Sequence, residues 1–130
     1  DAVAALENAS ASGAAFRPID PVESILEDLA QKAYLHDSEA LAVSVQTQLN
    51  RMGGIKERGV KQAPFIVLRG AAMPAVLIET AFISNAREEA KLKDPVFRKK
   101  VAEAIATGIR RIFANGHLPA KRRAVEVATQ

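Results

Sequence analysis

Glu79 is the residue in this 130-residue sequence best placed to do chemistry. It closes the apolar run Pro74-Ala75-Val76-Leu77-Ile78. A short aliphatic, β-branched run bounded by turn residues reads as a strand covered on both faces. A carboxylate at its end would emerge at the strand's C-terminal edge, where open α/β sheets place their ligands. An ionised carboxylate beside such a run costs several kcal/mol unless a cation, a metal or hydrogen bonds offset it. Two outcomes follow from that cost. Either Glu79 pairs with a nearby base such as Arg58 or Lys61, or it is held for acid–base work beside a cation.

The other residues with reactive side chains are few. There is no cysteine, which excludes disulfides and thiolate metal sites in this segment. The two histidines, His36 and His117, lie far apart in polar surroundings and read as exposed side chains, not ligands. With no Cys and no paired His, the segment cannot build a closed metal site alone. Charge is uneven, −6 over residues 1–50 and +9 over residues 51–130. A basic half can meet an anionic polymer. Nucleic acid is the least supported partner, because base-stacking aromatics are missing: one Tyr, no Trp, and phenylalanines at core-like positions. No apolar run approaches the roughly 20 residues of a membrane span.

Asp1 to Asn8 reads like the end of a helix begun elsewhere, so residue 1 is expected to be an internal point of a longer protein. Ser10 to Pro21, with Gly13, Pro18 and Pro21, reads as a loop. Asp20-Pro21 then starts a helix to about Tyr34, with Ile25, Leu26 and Leu29 expected on its inner face. A second helix is expected after Asp37 as its cap, with Leu41, Val45, Leu49, Ala42 and Met52 on one side and Gly53-Gly54 ending it. Pro64–Arg69 and Pro74–Glu79 are the expected strands. Asp94-Pro95 opens the last helix, whose stripe is Phe97, Val101, Ala104, Ile105, Gly108, Ile109 and Ile112, and Asn115-Gly116 closes it. Helices flanking buried strands predict an α/β fold: three layers, α/β/α, around a mostly parallel sheet. Two strands are too few for that sheet, so this segment is expected to supply only part of it.

The blocks around Glu79 carry a resemblance. Arg58-Gly59-Val60-Lys61-Gln62-Ala63-Pro64-Phe65-Ile66-Val67-Leu68-Arg69 and Met73-Pro74-Ala75-Val76-Leu77-Ile78-Glu79-Thr80-Ala81-Phe82-Ile83-Ser84-Asn85 resemble the closing signature of the zinc-dependent N-acetylmuramoyl-L-alanine amidases (amidase type 3). Ser38-Glu39-Ala40-Leu41-Ala42 looks like the family's Ser-x-x-Leu-Ala helix, Glu88-Glu89 and Val101 to Ile109 like its terminal helices, and Leu6-Glu7-Asn8-Ala9 like the stretch after its second metal-binding histidine. The match covers about residues 1–9 and 22–113.

The resemblance implies that residues 1–116 are the C-terminal part of the amidase catalytic domain, with 10–21 a variable loop and 117–130 a basic tail. It makes Glu79 the catalytic carboxylate beside a zinc ion whose His, Glu and His ligands are expected upstream of residue 1, none lying in this segment. A zinc-bound water has a pKa lowered to about 7. Glu79 would take its proton during attack on the amide between the muramoyl lactyl group and L-alanine, then pass it to the departing amine. Arg58 and Lys61 are candidate substrate-binding residues for stem-peptide carboxylates, against the reading of a loop-stabilising Arg and a solvated Lys. Ala81 stands where many members carry Gly; it is strained there only if the backbone needs a positive φ. Ser84 and Asn85 are expected to hold the turn. Peptidoglycan is the implied partner, with a regulatory protein as a second, and the implied location is the periplasm or the extracellular cell wall. The alternative reading is a non-catalytic amidase-like module that binds peptidoglycan or a partner protein.

Overall fold

A computed structural model describes residues 2–11 and 20–116. They form α1 (Ala2–Ala11), α2 (Pro21–Ala33), α3 (Leu35–Met52), a 3₁₀ turn at Ile66–Leu68, α4 (Ala86–Lys93) and α5 (Pro95–Ala114). The loop expected over 10–21 lies largely outside the described residues, and so does the tail from His117.

The helix boundaries follow local chemistry. Asp20 Oδ1 accepts the Val22 N–H at 2.8 Å, and Asp94 Oδ1 accepts the Val96 N–H at 2.9 Å with Pro95 in the first turn. Each cap satisfies a donor that a helix start leaves free, worth about 1 kcal/mol. Gly53 (φ 71°) ends α3 and Gly116 (φ 70°) follows α5, both in the left-handed region. Asp37 does not cap α3. The helix begins two residues earlier, with Tyr34 at the N-cap position, and Asp37 falls in its first turn.

The core lies between α3 and α5. Val45, Leu49, Val101 and Ala104 are buried there, and Leu41, Met52, Ile55, Ile78, Phe97 and Ile105 pack around them. Burying one Val or Leu contributes about 1.5–3 kcal/mol, so this seam is what holds the two long helices together. Gly108 makes the approach close: a Cβ built on it would stand 2.7 Å from the Cα of Val45. Ser44 Oγ bonds the Gly108 carbonyl at 2.8 Å across the same contact. Of the stripe expected on α5, Ile109 is exposed.

Two further expectations are overturned. Ile25, Leu26 and Leu29 do not face inward; with Val22 they are 58–65% exposed. Their spacing marks one side of an amphipathic helix, but no described element covers that side. The larger correction concerns fold class. The described residues contain helices and no β-strand, so they do not form a three-layer α/β/α arrangement or part of a parallel sheet.

The reason lies in where the backbone hydrogen bonds go. Asn8 on α1 donates from Nδ2 to the Pro64 carbonyl at 3.0 Å and accepts the Ile66 N–H on Oδ1 at 2.8 Å. Those are groups that a neighbouring strand would use. The chain then closes on itself, Leu68 N–H to Phe65 O and Arg69 N–H to Ile66 O, each at 3.1 Å. Pro74–Glu79 has neither helix nor ladder. An apolar run of this length is compatible with a strand, but a strand exists only where another backbone completes its ladder.

Candidate active site

Glu79 sits three residues before Phe82, in an irregular segment anchored at intervals. Ser38 Oγ accepts the Ala75 N–H at 3.1 Å while donating to the Tyr34 carbonyl at 2.8 Å. Ile78 packs on the α3–α5 core, which fixes the residue next to Glu79. Beyond it, Glu88 Oε2 accepts the Phe82 N–H at 2.8 Å.

The Glu79 side chain is half-buried and lines an open cavity of about 330 Å³. Arg58 and Lys61 line the same cavity, as do Ser38 and Glu39 of α3. The three residues singled out in the sequence therefore share one concavity. Glu79 pairs with neither base: among the described residues it makes no salt bridge or hydrogen bond. Among the described residues no buried side-chain oxygen or nitrogen lacks a partner, so the unpaired carboxylate keeps contact with water. A half-buried, solvent-touching carboxylate in a concavity with cations at its wall is equipped to exchange a proton with a bound water.

Arg58 has a defined partner. Its Nη2 meets Glu88 Oε1 at 2.8 Å, with the Glu88 side chain 19% exposed, and its guanidinium lies 4.7 Å from the centre of the Phe82 ring. The Phe82 N–H, then the Arg58 guanidinium, hold the Glu88 carboxyl below its ordinary value of 4.5; partial burial opposes them and the charges of Arg58 and Lys91 assist. A lowered carboxyl pKa contributes stability that is fully present above the ordinary value and is lost as pH falls through the lowered one. We therefore expect an NMR titration of Glu88, followed also at the Phe82 amide, to have its midpoint below 4.5. A midpoint at or above that value would show that the contact is absent in solution.

The sequence reading passed over Glu88 as a site residue. The available signal was its place three residues after Asn85, the spacing of a capping box. Asn85 does cap α4, accepting the N–H groups of Arg87 and Glu88 at 3.1 and 3.3 Å. Glu88 reaches past it to Phe82 instead of returning to the cap. Ala81 has no positive φ, so a Cβ is accommodated there without backbone strain. His36 is exposed, and His117 lies outside the described residues. Among the described residues no group of three or more His, Cys, Asp or Glu side chains could hold a metal ion. None of the described helices is long and apolar enough to cross a membrane.

Comparison with known proteins places these features in a family. The family model for N-acetylmuramoyl-L-alanine amidase matches residues 3–111. The chain is 39% identical over 101 residues to the N-acetylmuramoyl-L-alanine amidase AmiC of Escherichia coli, covering 78% of this chain and 24% of that protein. It is 41% identical over 90 residues to AmiC of Neisseria meningitidis, covering 69% of this chain and 22% of that one. With LytC of Bacillus subtilis the identity is 46% over 72 residues, 55% of this chain and 14% of the relative. The chain thus spans about a quarter or less of the length of these relatives. No solved structure matches it. With the family model matched over most of its length, and relatives of that name 39–41% identical over more than two thirds of it, the chain belongs to the N-acetylmuramoyl-L-alanine amidase family.

Proposed function

We propose that this chain carries the acid–base half of an amidase centre that cuts the amide between N-acetylmuramic acid and the L-alanine of the stem peptide. One observation carries the reading: Glu79 is an unpaired, half-buried carboxylate lining a cavity in a chain of this family. In the reaction Glu79 takes a proton from water as the water oxygen bonds to the lactyl carbonyl carbon. The carbon–nitrogen bond then breaks, and Glu79 returns the proton to the leaving nitrogen, which departs as the amine of L-alanine. Glutamate suits this relay because its conjugate acid is strong enough to give the proton back.

Lys61, exposed at the rim of the same cavity, is proposed to attract stem-peptide carboxylates. Arg58 is the second proposed cation, through donors that Glu88 does not use, since a guanidinium has five N–H groups. Zinc is the proposed metal of the whole centre, where it would polarise the carbonyl and acidify water. The described residues do not meet its donor requirement, so its ligands would come from outside them. The relatives' names identify them as amidases of the muramoyl–alanine bond, which supports peptidoglycan as substrate and the periplasm or cell wall as the place of action.

The test is product chemistry. Full-length protein incubated with purified peptidoglycan is expected to release stem peptides with free L-alanine amino groups and to leave glycan strands with free lactyl carboxylates, read by mass spectrometry. Binding to the polymer without new amines would overturn the enzyme reading in favour of a non-catalytic module.

A further inference from the structure

The segment that carries Glu79 has no ladder among the described residues, so side chains fix its course. Its far anchor is Phe82, and Phe82 is held twice by the same pair of residues. Glu88 Oε2 takes its N–H at 2.8 Å, and Arg58 covers its ring at 4.7 Å. The pair is closed by the 2.8 Å contact between Arg58 Nη2 and Glu88 Oε1. Both bonds to Glu88 involve an ionised carboxylate, which makes them shorter and stronger than neutral ones. Phe82 lies three positions beyond Glu79, a reach of at most about 11 Å for an extended chain. A shift at Phe82 therefore reaches Glu79 through two intervening residues, Thr80 and Ala81, and Ile78, packed on the core, limits movement on the other side.

We propose that Glu88, acting with Arg58, is a positioning residue that sets where the Glu79 carboxylate stands in its cavity. The inference rests on the amidase reading and adds to it a residue that never touches substrate. Removing the carboxylate frees the Phe82 N–H and leaves Arg58 without its partner, so the Glu79 segment gains freedom at one end while the α3–α5 core is untouched. A displacement of about 1 Å at a reacting group can cost 10²-fold in rate.

The experiment uses the full-length protein, Glu88→Ala and Glu88→Gln variants, and two readouts. Steady-state cleavage of a muramoyl-peptide is expected to show kcat lowered about 10- to 100-fold in Glu88→Ala, a larger change than any in KM. Glu88→Gln, whose side-chain carbonyl can still accept the Phe82 N–H, is expected to recover a large part of kcat. Hydrogen exchange of the Phe82 amide is the second readout, expected to be faster in Glu88→Ala than in Glu88→Gln and slowest in the wild type. A Glu88→Ala protein with unchanged kcat overturns the proposal, as does equal loss of kcat in both variants with no change in Phe82 exchange. If Glu88→Ala does not fold, the Gln variant decides alone: kcat within about tenfold of wild type with Phe82 still protected supports the clamp, and a larger loss or an unprotected amide overturns it. A wild-type protein that cleaves nothing would remove the amidase reading itself, a result distinct from an active wild type indifferent to residue 88.

Discussion

Glu79→Gln in the full-length protein is expected to lower kcat/KM for muramoyl-peptide hydrolysis by about 10²–10⁴-fold, the usual share of a positioned general acid–base group. Glutamine keeps the size and shape of the side chain and its ability to accept a hydrogen bond. It lacks the negative charge and the basic oxygen that accepts a proton, so the variant separates proton transfer from packing. Stability is expected to hold within about 0.5 kcal/mol, because among the described residues Glu79 makes no ion pair or hydrogen bond that the change could break. Steady-state kinetics paired with a thermal melt would check both. A Gln variant that turns over like the wild type would take Glu79 out of the reaction.

Gly108 carries the largest expected effect on stability. In a helix interior, replacing Gly by Ala ordinarily gains up to about 1 kcal/mol from backbone propensity. Here the new Cβ would stand 2.7 Å from the Cα and 3.0 Å from the N and Cγ2 of Val45. Two of those three atoms are backbone and cannot swing aside. Overpacking of this kind costs about 1–3 kcal/mol, enough to cancel or reverse the propensity gain. Gly108→Ala is therefore expected to be neutral to destabilised. Gly108→Val should lose about 3 kcal/mol or more, as its two further methyls must push α3 and α5 apart and stretch the Ser44–Gly108 hydrogen bond. Chemical denaturation would measure both, and an Ala variant more stable than wild type would show that the helices separate more easily than the contact implies.

What the sequence disclosed divides by the range of the interaction. Asp20, Asp94, Gly53 and the Asn115-Gly116 pair marked helix ends correctly, because capping is settled within a few residues of chain. The Val45–Leu49 face was legible from its spacing, and so was the Val101–Ala104–Gly108–Ile112 stripe. The same periodicity misled at Ile25, Leu26 and Leu29. Spacing reveals that a helix has an apolar side, but it holds no information on what lies against that side. Pro64–Arg69 failed as a strand for a comparable reason. Its apolar character was plain, whereas the carboxamide of Asn8, 56 residues away from Pro64, decided where its backbone groups would bond. Glu79 is singled out by the blocks around it, whereas its place lining one cavity with Arg58 and Lys61 is a product of packing. Glu88 escaped because its spacing from Asn85 suggested a local capping task, and nothing in the local pattern discloses a bond to Phe82.

The Ser38 hydroxyl joins two things that are usually independent. It donates back to Tyr34 at the start of α3 and receives the Ala75 N–H from the stretch leading to Glu79. Fraying of that first helical turn would draw Ser38 away and slacken the tether at Ala75 in the same event. The course of the chain at Ala75 and the integrity of a helix end are thereby coupled, with one oxygen atom as the hinge pin.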